Sequence, residues 1–240
     1  MENSEVLIKK ARLAQESEQY EDMFLFLKEY LGLKPELGSD ERNQFSNAAK
    51  HVLGSQRAAW RFLKGIIKSS AERGDDTSIA EDYLATLAGR ITDRCQEVIV
   101  LLEPYFVSEA STYEEFEAQT IYRRMQADSY SYQAEVATGN MSVELAQKAD
   151  AVYNNALAIS EKLEATHPIR LEFALNRSIF LYQIKNNPED AYNFISTVFN
   201  NALEDFTGIK EEFHKKSAFL MTEIRSVLEL WSANSAQDSE

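Results

Sequence analysis

The stretch that decides the fold is ERNQFSNAAKHVLGSQRAAWR, residues 41–61. Its apolar residues recur every three or four positions without strand-like alternation, so the stretch predicts a long amphipathic helix. Three of its cations, Lys50, Arg57 and Arg61, are spaced i, i+7 and i+11. At about 100° per residue, this spacing puts all three on one face of that helix.

This cationic row belongs to an acidic chain, whose formal net charge is −14. A row of positive charge on such a molecule is a candidate anion-binding site. On spacing alone, a solvated helix face is the better interpretation. The anion-site hypothesis therefore depends on whether a second segment supplies partners for the same anion.

The composition indicates a globular protein and excludes several classes. Among 240 residues, 8 Gly and 4 Pro are too few to punctuate an all-β fold. No apolar run predicts a transmembrane helix, the first residues do not resemble a signal peptide, and we expect no membrane insertion. The negative charge argues against nucleic acid as a partner. A single cysteine, Cys95, rules out an intramolecular disulfide and favours the reducing cytoplasm.

Helical periodicity extends along the whole chain and predicts an all-α fold of nine antiparallel helices. Short connections leave no linker between domains, so we expect one helical domain, residues 1–234, and a disordered acidic tail, residues 235–240. The expected helices cover residues 5–18, 20–31, 41–72, 78–102, 113–137, 143–164, 168–185, a segment opening at 187–188, and 211–233.

Signatures of catalysis or metal binding are scarce. The three histidines lack metal-ligand spacing, and there is no glycine-rich phosphate loop or nucleophile elbow. His167 precedes a proline at a helix start, which favours a capping role, and Cys95 on an apolar helix is expected to be a buried structural thiol. The sequence therefore predicts neither an enzyme, nor a metal site, nor a cofactor.

A second segment, TIYRRMQADSYSYQAEVATG at residues 120–139, supplies the missing partners. On a helix, Arg124, Asp128, Ser131 and Glu135 share one face, with Tyr132 at its edge. A buried carboxylate, either Asp128 or Glu135, can orient a guanidinium, while the phenol adds a hydrogen-bond donor. Guanidinium, ammonium and phenol groups together suit a phosphate dianion. A purely structural role for the tyrosines is the alternative.

At this point the residues resemble those of the 14-3-3 proteins. The resemblance extends over nearly the whole chain, from KKARLAQESEQYEDM through the two segments above and THPIRLEFALNRSIFLYQI to LELW. It implies a cup-shaped bundle of nine helices whose amphipathic groove binds phosphoserine or phosphothreonine segments of client proteins. It also implies an adaptor without catalysis.

Carried over residue by residue, the family's phosphate pocket is only partly kept. The resemblance implies phosphate contacts from Lys50, Arg57 and Tyr132. The family arginine before that tyrosine is Ser131 here, and its loss would weaken phosphate binding by roughly one to two orders of magnitude. Arg124 matches a family lysine on the same face and is a candidate to compensate in part. The candidate phosphate-binding residues are thus Lys50, Arg57, Arg61, Arg124 and Tyr132.

The rest of the implied groove is altered further. Asn176 matches a family asparagine that clamps the peptide backbone, whereas Gln183 replaces a family glutamate. Val227 replaces a second clamping asparagine, and Glu223 puts negative charge on a normally apolar wall. The candidate groove residues are Glu135, Leu175, Asn176, Ile179, Phe219, Glu223, Val227 and Trp231.

The resemblance also implies a homodimer, in which the first helix packs on the third and fourth helices of the partner. Charge pairs usual in the family are missing, because Gln19 and Arg90 replace an arginine and its glutamate partner. Exposed pairs contribute only about 0–1 kcal/mol, so apolar contact can suffice. A family phosphorylation site is Ala59 here, which removes that switch. The candidate interface residues are Leu13, Ala14, Ser17, Ala59, Leu63 and Tyr83.

Two functions therefore compete. The first is a phosphopeptide-binding adaptor with weakened or altered specificity. The second is a divergent helical scaffold that binds unphosphorylated or basic segments independently of phosphate, with Glu223 favouring basic ligands. The retained phosphate-pocket residues favour the first.

Overall fold

The computed structural model describes residues 3–33, 37–205 and 208–237, with only the backbone for residues 235–237. Within these residues, all regular structure is helical, which confirms the all-α prediction. A short 3-10 helix, Glu103–Tyr105, accompanies nine α-helices. These are α1 Ser4–Glu16, α2 Tyr20–Leu31, α3 Ser39–Glu72, α4 Ser78–Leu102, α5 Tyr113–Val136, α6 Gly139–Ser160, α7 Pro168–Gln183, α8 Pro188–Glu204 and α9 Glu211–Gln237.

Several helix ends differ from the sequence-based expectation, and three of these differences concern identifiable residues. Helix α3 begins at Ser39 because Gly38 takes the N-cap position with extended backbone. Gly139, expected to end the fifth helix, instead opens α6 with a positive φ of 59°. Helix α9 continues to Gln237, so the backbone of residues 235–237 is helical where a disordered tail was expected. Residues 238–240 of that expected tail lie outside the described residues.

Contacts within the chain divide it into two compact units. Unit 1 comprises residues 1–106 and 132–145, and unit 2 comprises residues 107–131 and 146–240. Unit 1 therefore holds α1–α4 with the last turn of α5 and the start of α6. Unit 2 holds most of α5 and α6 and all of α7–α9.

The core of unit 1 forms where α1–α4 pack in chain order. Phe24 of α2 and Phe45 of α3 are almost fully buried, with ring centroids 5.8 Å apart. Burial of one such side chain contributes about 1.5–3 kcal/mol. Arg94 of α4 covers the Phe24 ring at 4.5 Å and pairs with Glu97 at 2.8 Å. Cys95 is fully buried beside it, as the sequence predicted.

Unit 2 is built around two apolar clusters. The faces of α7, α8 and α9 meet around Leu171, Ile195 and Ile224. The faces of α5, α6 and α7 meet around Tyr153 and Phe173. Helix α7 begins sharply, because the His167 side chain caps it by accepting a hydrogen bond from the Ile169 amide and Pro168 occupies its first turn. The predicted capping role of His167 is thus confirmed.

Candidate functional site

The three cations of the α3 row differ in exposure within unit 1. Lys50 and Arg61 are exposed, whereas Arg57 is half-buried with 15 % of its side chain accessible. All three stand on one continuous helix, Ser39–Glu72, so its backbone fixes their spacing. The row is therefore a rigidly spaced set of cations whose central member is desolvated.

The last turn of α5 supplies a carboxylate and a phenol to this row. The Arg57 Nε donates a hydrogen bond of 2.7 Å to one carboxylate oxygen of Glu135, and the Arg61 Nε donates to the other. The Arg57 guanidinium carbon lies 3.6 Å from the centroid of the Tyr132 ring. Two fixed contacts, one ionic and one cation–π, thus hold the Arg57 guanidinium in a single orientation.

This arrangement leaves the anion-binding edge of Arg57 available. Among the residues that the structure describes, Glu135 is its hydrogen-bond acceptor, through Nε. The two Nη groups form the forked edge that matches carboxylate or phosphate oxygens. The cluster of Lys50, Arg57, Arg61 and Glu135 carries a net charge of +2 (three cations and one carboxylate). That charge complements a phosphate dianion.

Arg124 requires a correction to the sequence-based assignment. It lies in unit 2, is 3 % exposed, and its Nη1 donates to Asp128 Oδ2 at 3.2 Å. Its Nη2 lies 3.9 Å from Glu172 Oε2. A buried guanidinium that two carboxylates already neutralise is a structural ion pair rather than a phosphate ligand.

Asp128 is the centre of a buried polar network in unit 2. Its carboxylate also accepts hydrogen bonds from the Tyr153 hydroxyl and from the Asn176 Nδ2, the latter at 2.7 Å. Burial raises the pKa of Asp128, while the charge of Arg124 and the two hydrogen bonds oppose that rise. Nearby Glu172 raises it further. The network joins α5, α6 and α7 through one carboxylate.

The other candidate groove residues, on α7 and α9, differ in exposure. Leu175, Ile179 and Val227 are half-buried and pack against the α7–α9 cluster. On α9, Phe219 is 63 % exposed and Glu223 is also exposed one turn later. Phe219 and Glu223 are therefore accessible to a ligand, whereas Leu175, Ile179 and Val227 belong partly to the core.

Trp231 also requires a correction, because it is a core residue rather than a groove residue. It is 6 % exposed, and its ring stacks on that of Tyr182 at a centroid distance of 4.4 Å and an interplanar angle of 4°. The four-residue spacing from Phe219 to Trp231 suggested one shared face. Each step of four residues rotates the side-chain direction by about 400°, which is about 40° more than a full turn. Three steps from Phe219 to Trp231 add up to about 120°, so the tryptophan points into the core.

The candidate dimer residues lie in unit 1, and most are accessible. Leu13, Ser17, Ala59 and Tyr83 are exposed and Leu63 is half-buried. Ala14 is buried within the protomer, so it contributes little surface to a partner. Large apolar side chains that sequence analysis did not single out are also exposed on α3 and α4, namely Phe62, Ile66 and Ile79.

Sequence reasoning missed two participants in the buried network. Tyr153 lies on the apolar face of α6, where a core role is the ordinary expectation, and only its hydroxyl contact with Asp128 reveals more. Glu172 lies near the cations of both Arg124 and Lys216, at 3.9 Å and 4.0 Å. Neither residue belongs to a local motif, so no sequence signal identified it.

Two other kinds of feature, a metal site and a membrane-spanning helix, are not found among the described residues. Within the described residues, no group of three His, Cys, Asp or Glu side chains is arranged to hold a metal ion. In the same part of the chain, no helix combines the length and the apolar character needed to cross a bilayer.

The fold and the cationic cluster together define an all-helical protein with a candidate site for anions. A family model for the 14-3-3 protein matches residues 10–232. The chain therefore belongs to the 14-3-3 family, and the resemblance noted in the sequence is confirmed. Members of this family are non-catalytic adaptors that bind phosphoserine or phosphothreonine segments of other proteins.

Proposed function

We propose that this protein binds phosphoserine or phosphothreonine segments of client proteins with a phosphate site that has lost one arginine. The observation that carries the proposal is the fixed Arg57 guanidinium, held over Tyr132 and bonded through Nε to Glu135. A guanidinium that is oriented before the ligand arrives loses little side-chain entropy when it binds a phosphate. Lys50 and Arg61 add charge on the same helix face.

Three substitutions support weaker or altered recognition. Ser131 replaces the pocket arginine, and a hydrogen bond to a charged group is typically worth about 1.5–3 kcal/mol. With Arg124 engaged by Asp128, no compensation is expected from that residue. Val227 offers no hydrogen bond to a peptide backbone, and Glu223 brings negative charge to α9. We therefore expect phosphopeptide affinities roughly one to two orders of magnitude below those of a pocket with the arginine.

Calorimetric titration with a phosphoserine peptide library and its dephosphorylated counterpart tests this function. Wild-type protein should bind the phosphorylated pool more tightly, and Arg57→Glu should abolish the difference. Lys162→Glu, which makes the same charge change on an exposed residue of unit 2, is the control and should keep it. Equal titration curves for the two pools on wild-type protein would refute the proposal.

A second candidate function is binding of basic, unphosphorylated segments. The exposed pair Phe219 and Glu223 on α9 favours it, since an aromatic ring beside a carboxylate suits a lysine or arginine side chain. In that case Glu223→Leu should weaken binding of partners captured from cells. Loss of every captured partner after phosphatase treatment would exclude it.

We further propose a cytoplasmic homodimer. Leu13, Phe62, Ile79 and Tyr83 are exposed apolar side chains on α1, α3 and α4 of unit 1, which a partner subunit would bury. Apolar burial of this kind can replace the missing charge pairs, which are each worth little. The single, buried Cys95 is compatible with a reducing compartment.

A further inference from the structure

Two aromatic rings and a carboxylate of unit 2 surround the ammonium group of Lys210. Its Nζ lies 5.0 Å from the centroid of the Tyr113 ring and 5.4 Å from that of the Phe213 ring. Both distances are within the limit of about 6 Å for a cation–π contact. Glu164 Oε1 completes the set at 3.0 Å from the same nitrogen. Tyr113, Phe213 and Glu164 therefore form an aromatic cage for an ammonium group, which the chain's own Lys210 occupies.

The walls of this aromatic cage are held in place by contacts with one another and with His167. The Tyr113 hydroxyl donates a hydrogen bond to Glu164 Oε2. The buried His167 ring packs edge-on against the Tyr113 and Phe213 rings, at centroid distances of 6.0 Å and 4.4 Å. Burial alone would raise the pKa of Glu164, but hydrogen bonds from the Tyr113 hydroxyl, from its own amide and from Lys210 lower it to about 2. The third wall is thus a carboxylate that is ionised at neutral pH.

The Lys210 side chain can leave the aromatic cage without unfolding a helix. Lys210 precedes α9, and the hydrogen bond that it gives this helix comes from its backbone carbonyl, which accepts from the Phe213 amide at 3.0 Å. The side chains of Lys210 and Glu164 are 51 % and 48 % exposed, so the cage opens to solvent.

The surroundings of the cage favour a cation whether or not Lys210 is inside it. Burial is the main cause that raises the pKa of Tyr113, followed by the hydrogen bond to Glu164 and by the negative charges of Glu164, Glu117 and Glu212. Three carboxylates therefore act on the ring that forms one wall. When Lys210 leaves, they remain available to stabilise another cation.

We propose that the aromatic cage binds a mono- or dimethylated lysine side chain of a partner protein, which displaces Lys210. An N–C bond is about 1.5 Å long, so a methyl carbon directed at either ring would lie about 3.5–3.9 Å from its centroid, an ordinary contact distance. Glu164, at hydrogen-bond distance from the nitrogen, requires at least one N–H, which a trimethylated lysine lacks. The site lies in unit 2 and is independent of the phosphate binding proposed for residues of unit 1.

Titrations followed by NMR of the Tyr113 and Phe213 ring signals test the proposal. The probes are Nα-acetyl-lysine amides that carry two methyl groups, three methyl groups or a neutral acetyl group on Nε. On Lys210→Ala, whose cage is empty, the dimethylated probe should bind saturably, the trimethylated probe at least about threefold more weakly, and the neutral probe not at all. Wild type should bind the dimethylated probe at least about tenfold more weakly than Lys210→Ala, because only molecules with an empty cage can bind it.

Lys215→Ala is the matched control, since it removes an exposed lysine of α9, and it should bind the probes as wild type does. Equal binding of the dimethylated and neutral probes to Lys210→Ala would overturn the proposal, as would equal affinity of wild type and Lys210→Ala for the dimethylated probe. A trimethylated probe that binds as tightly as the dimethylated one would overturn the assigned ligand class.

A measurement on wild-type protein keeps the proposal testable even if Lys210→Ala fails to fold. Ring currents of Tyr113 and Phe213 should shift the ε-methylene proton signals of Lys210 upfield, because its ammonium group lies over both rings. An excess of the dimethylated probe should return these signals toward their ordinary position. Signals that lack the upfield shift, or that keep it in the presence of the probe, would refute displacement of Lys210.

Discussion

Acidification is expected to destabilise this protein through the buried imidazole of His167. The ring is 1 % exposed, its Nδ1 accepts the Ile169 amide at 3.2 Å, and its Nε2 lies 3.0 Å from Glu117 Oε1. The ring is therefore neutral, with its proton on Nε2. A second proton on Nδ1 would face the Ile169 N–H and break the cap of α7.

The size of the effect follows from the shift in pKa. Burial is the main cause that lowers the pKa of His167 from 6.5 to about 4; Lys210 and Lys216 act in the same direction, and Glu164 opposes them. The unfolded chain binds this proton more readily, so the stabilisation is complete above pH 6.5 and is lost progressively as the pH falls from 6.5 to about 4. The loss is about 2 kcal/mol at pH 5 and about 3 kcal/mol below pH 4.

Urea unfolding at pH 7, 6 and 5, followed by far-UV circular dichroism, measures this loss of unfolding free energy. The reference is His167→Asn, which keeps a capping side chain but cannot titrate. The stability difference between wild type and this variant should shrink by about 2 kcal/mol from pH 7 to pH 5. His214→Asn, which removes an exposed imidazole, controls for the loss of a histidine. Parallel pH profiles for wild type and His167→Asn would refute the reasoning.

Three further predictions concern the site, the dimer and the core. Ser131→Arg should raise affinity for a phosphoserine peptide by roughly one to two orders of magnitude without changing affinity for the serine peptide, as titration calorimetry can check. Leu13→Glu should shift the proposed dimer to monomer in analytical ultracentrifugation, whereas Leu203→Glu, at another exposed leucine in unit 2, should not. Trp231→Ala should cost about 3–5 kcal/mol of unfolding free energy, because it removes the buried ring stacked on Tyr182.

The helices were predictable because helical periodicity is dense in every long segment, whereas several of their ends were not. The start of α3 depends on the backbone of Gly38, and the continuation of α9 to Gln237 runs through small polar residues with weak helical preference. Such ends are decided by tertiary contacts and by single backbone conformations, as the positive φ of Gly139 illustrates. Periodicity carries no information about them.

The site was predictable to the level of helix faces. Spacing placed Arg57 on the cationic face of α3 and Glu135 on the polar face of α5. Packing between the helices, which spacing does not predict, lets the Glu135 carboxylate accept hydrogen bonds from the Nε atoms of both Arg57 and Arg61. Arg124 was assigned wrongly, although its i+4 spacing to Asp128 already indicated an internal ion pair. In an acidic chain many carboxylates have a possible cationic partner, so the sequence does not show which ion pairs are buried.

If the proposed function holds, the substitutions at Ser131, Glu223 and Val227 act on two separable properties of recognition. Under the proposed function, we expect discrimination between phosphoserine and serine to depend on the charges of Lys50, Arg57 and Arg61, which remain even though Ser131 supplies none. Under the same proposal, we expect discrimination among peptide sequences to depend on α7 and α9; on α9, Val227 offers no polar contact and Glu223 adds a negative charge. A protein altered in this way should still require phosphate, because the cations of α3 are kept. It should favour segments with basic residues, because Glu223 makes the α9 surface negative. Swapping Glu223 for leucine should thus change the preferred sequence and leave the phosphate requirement intact.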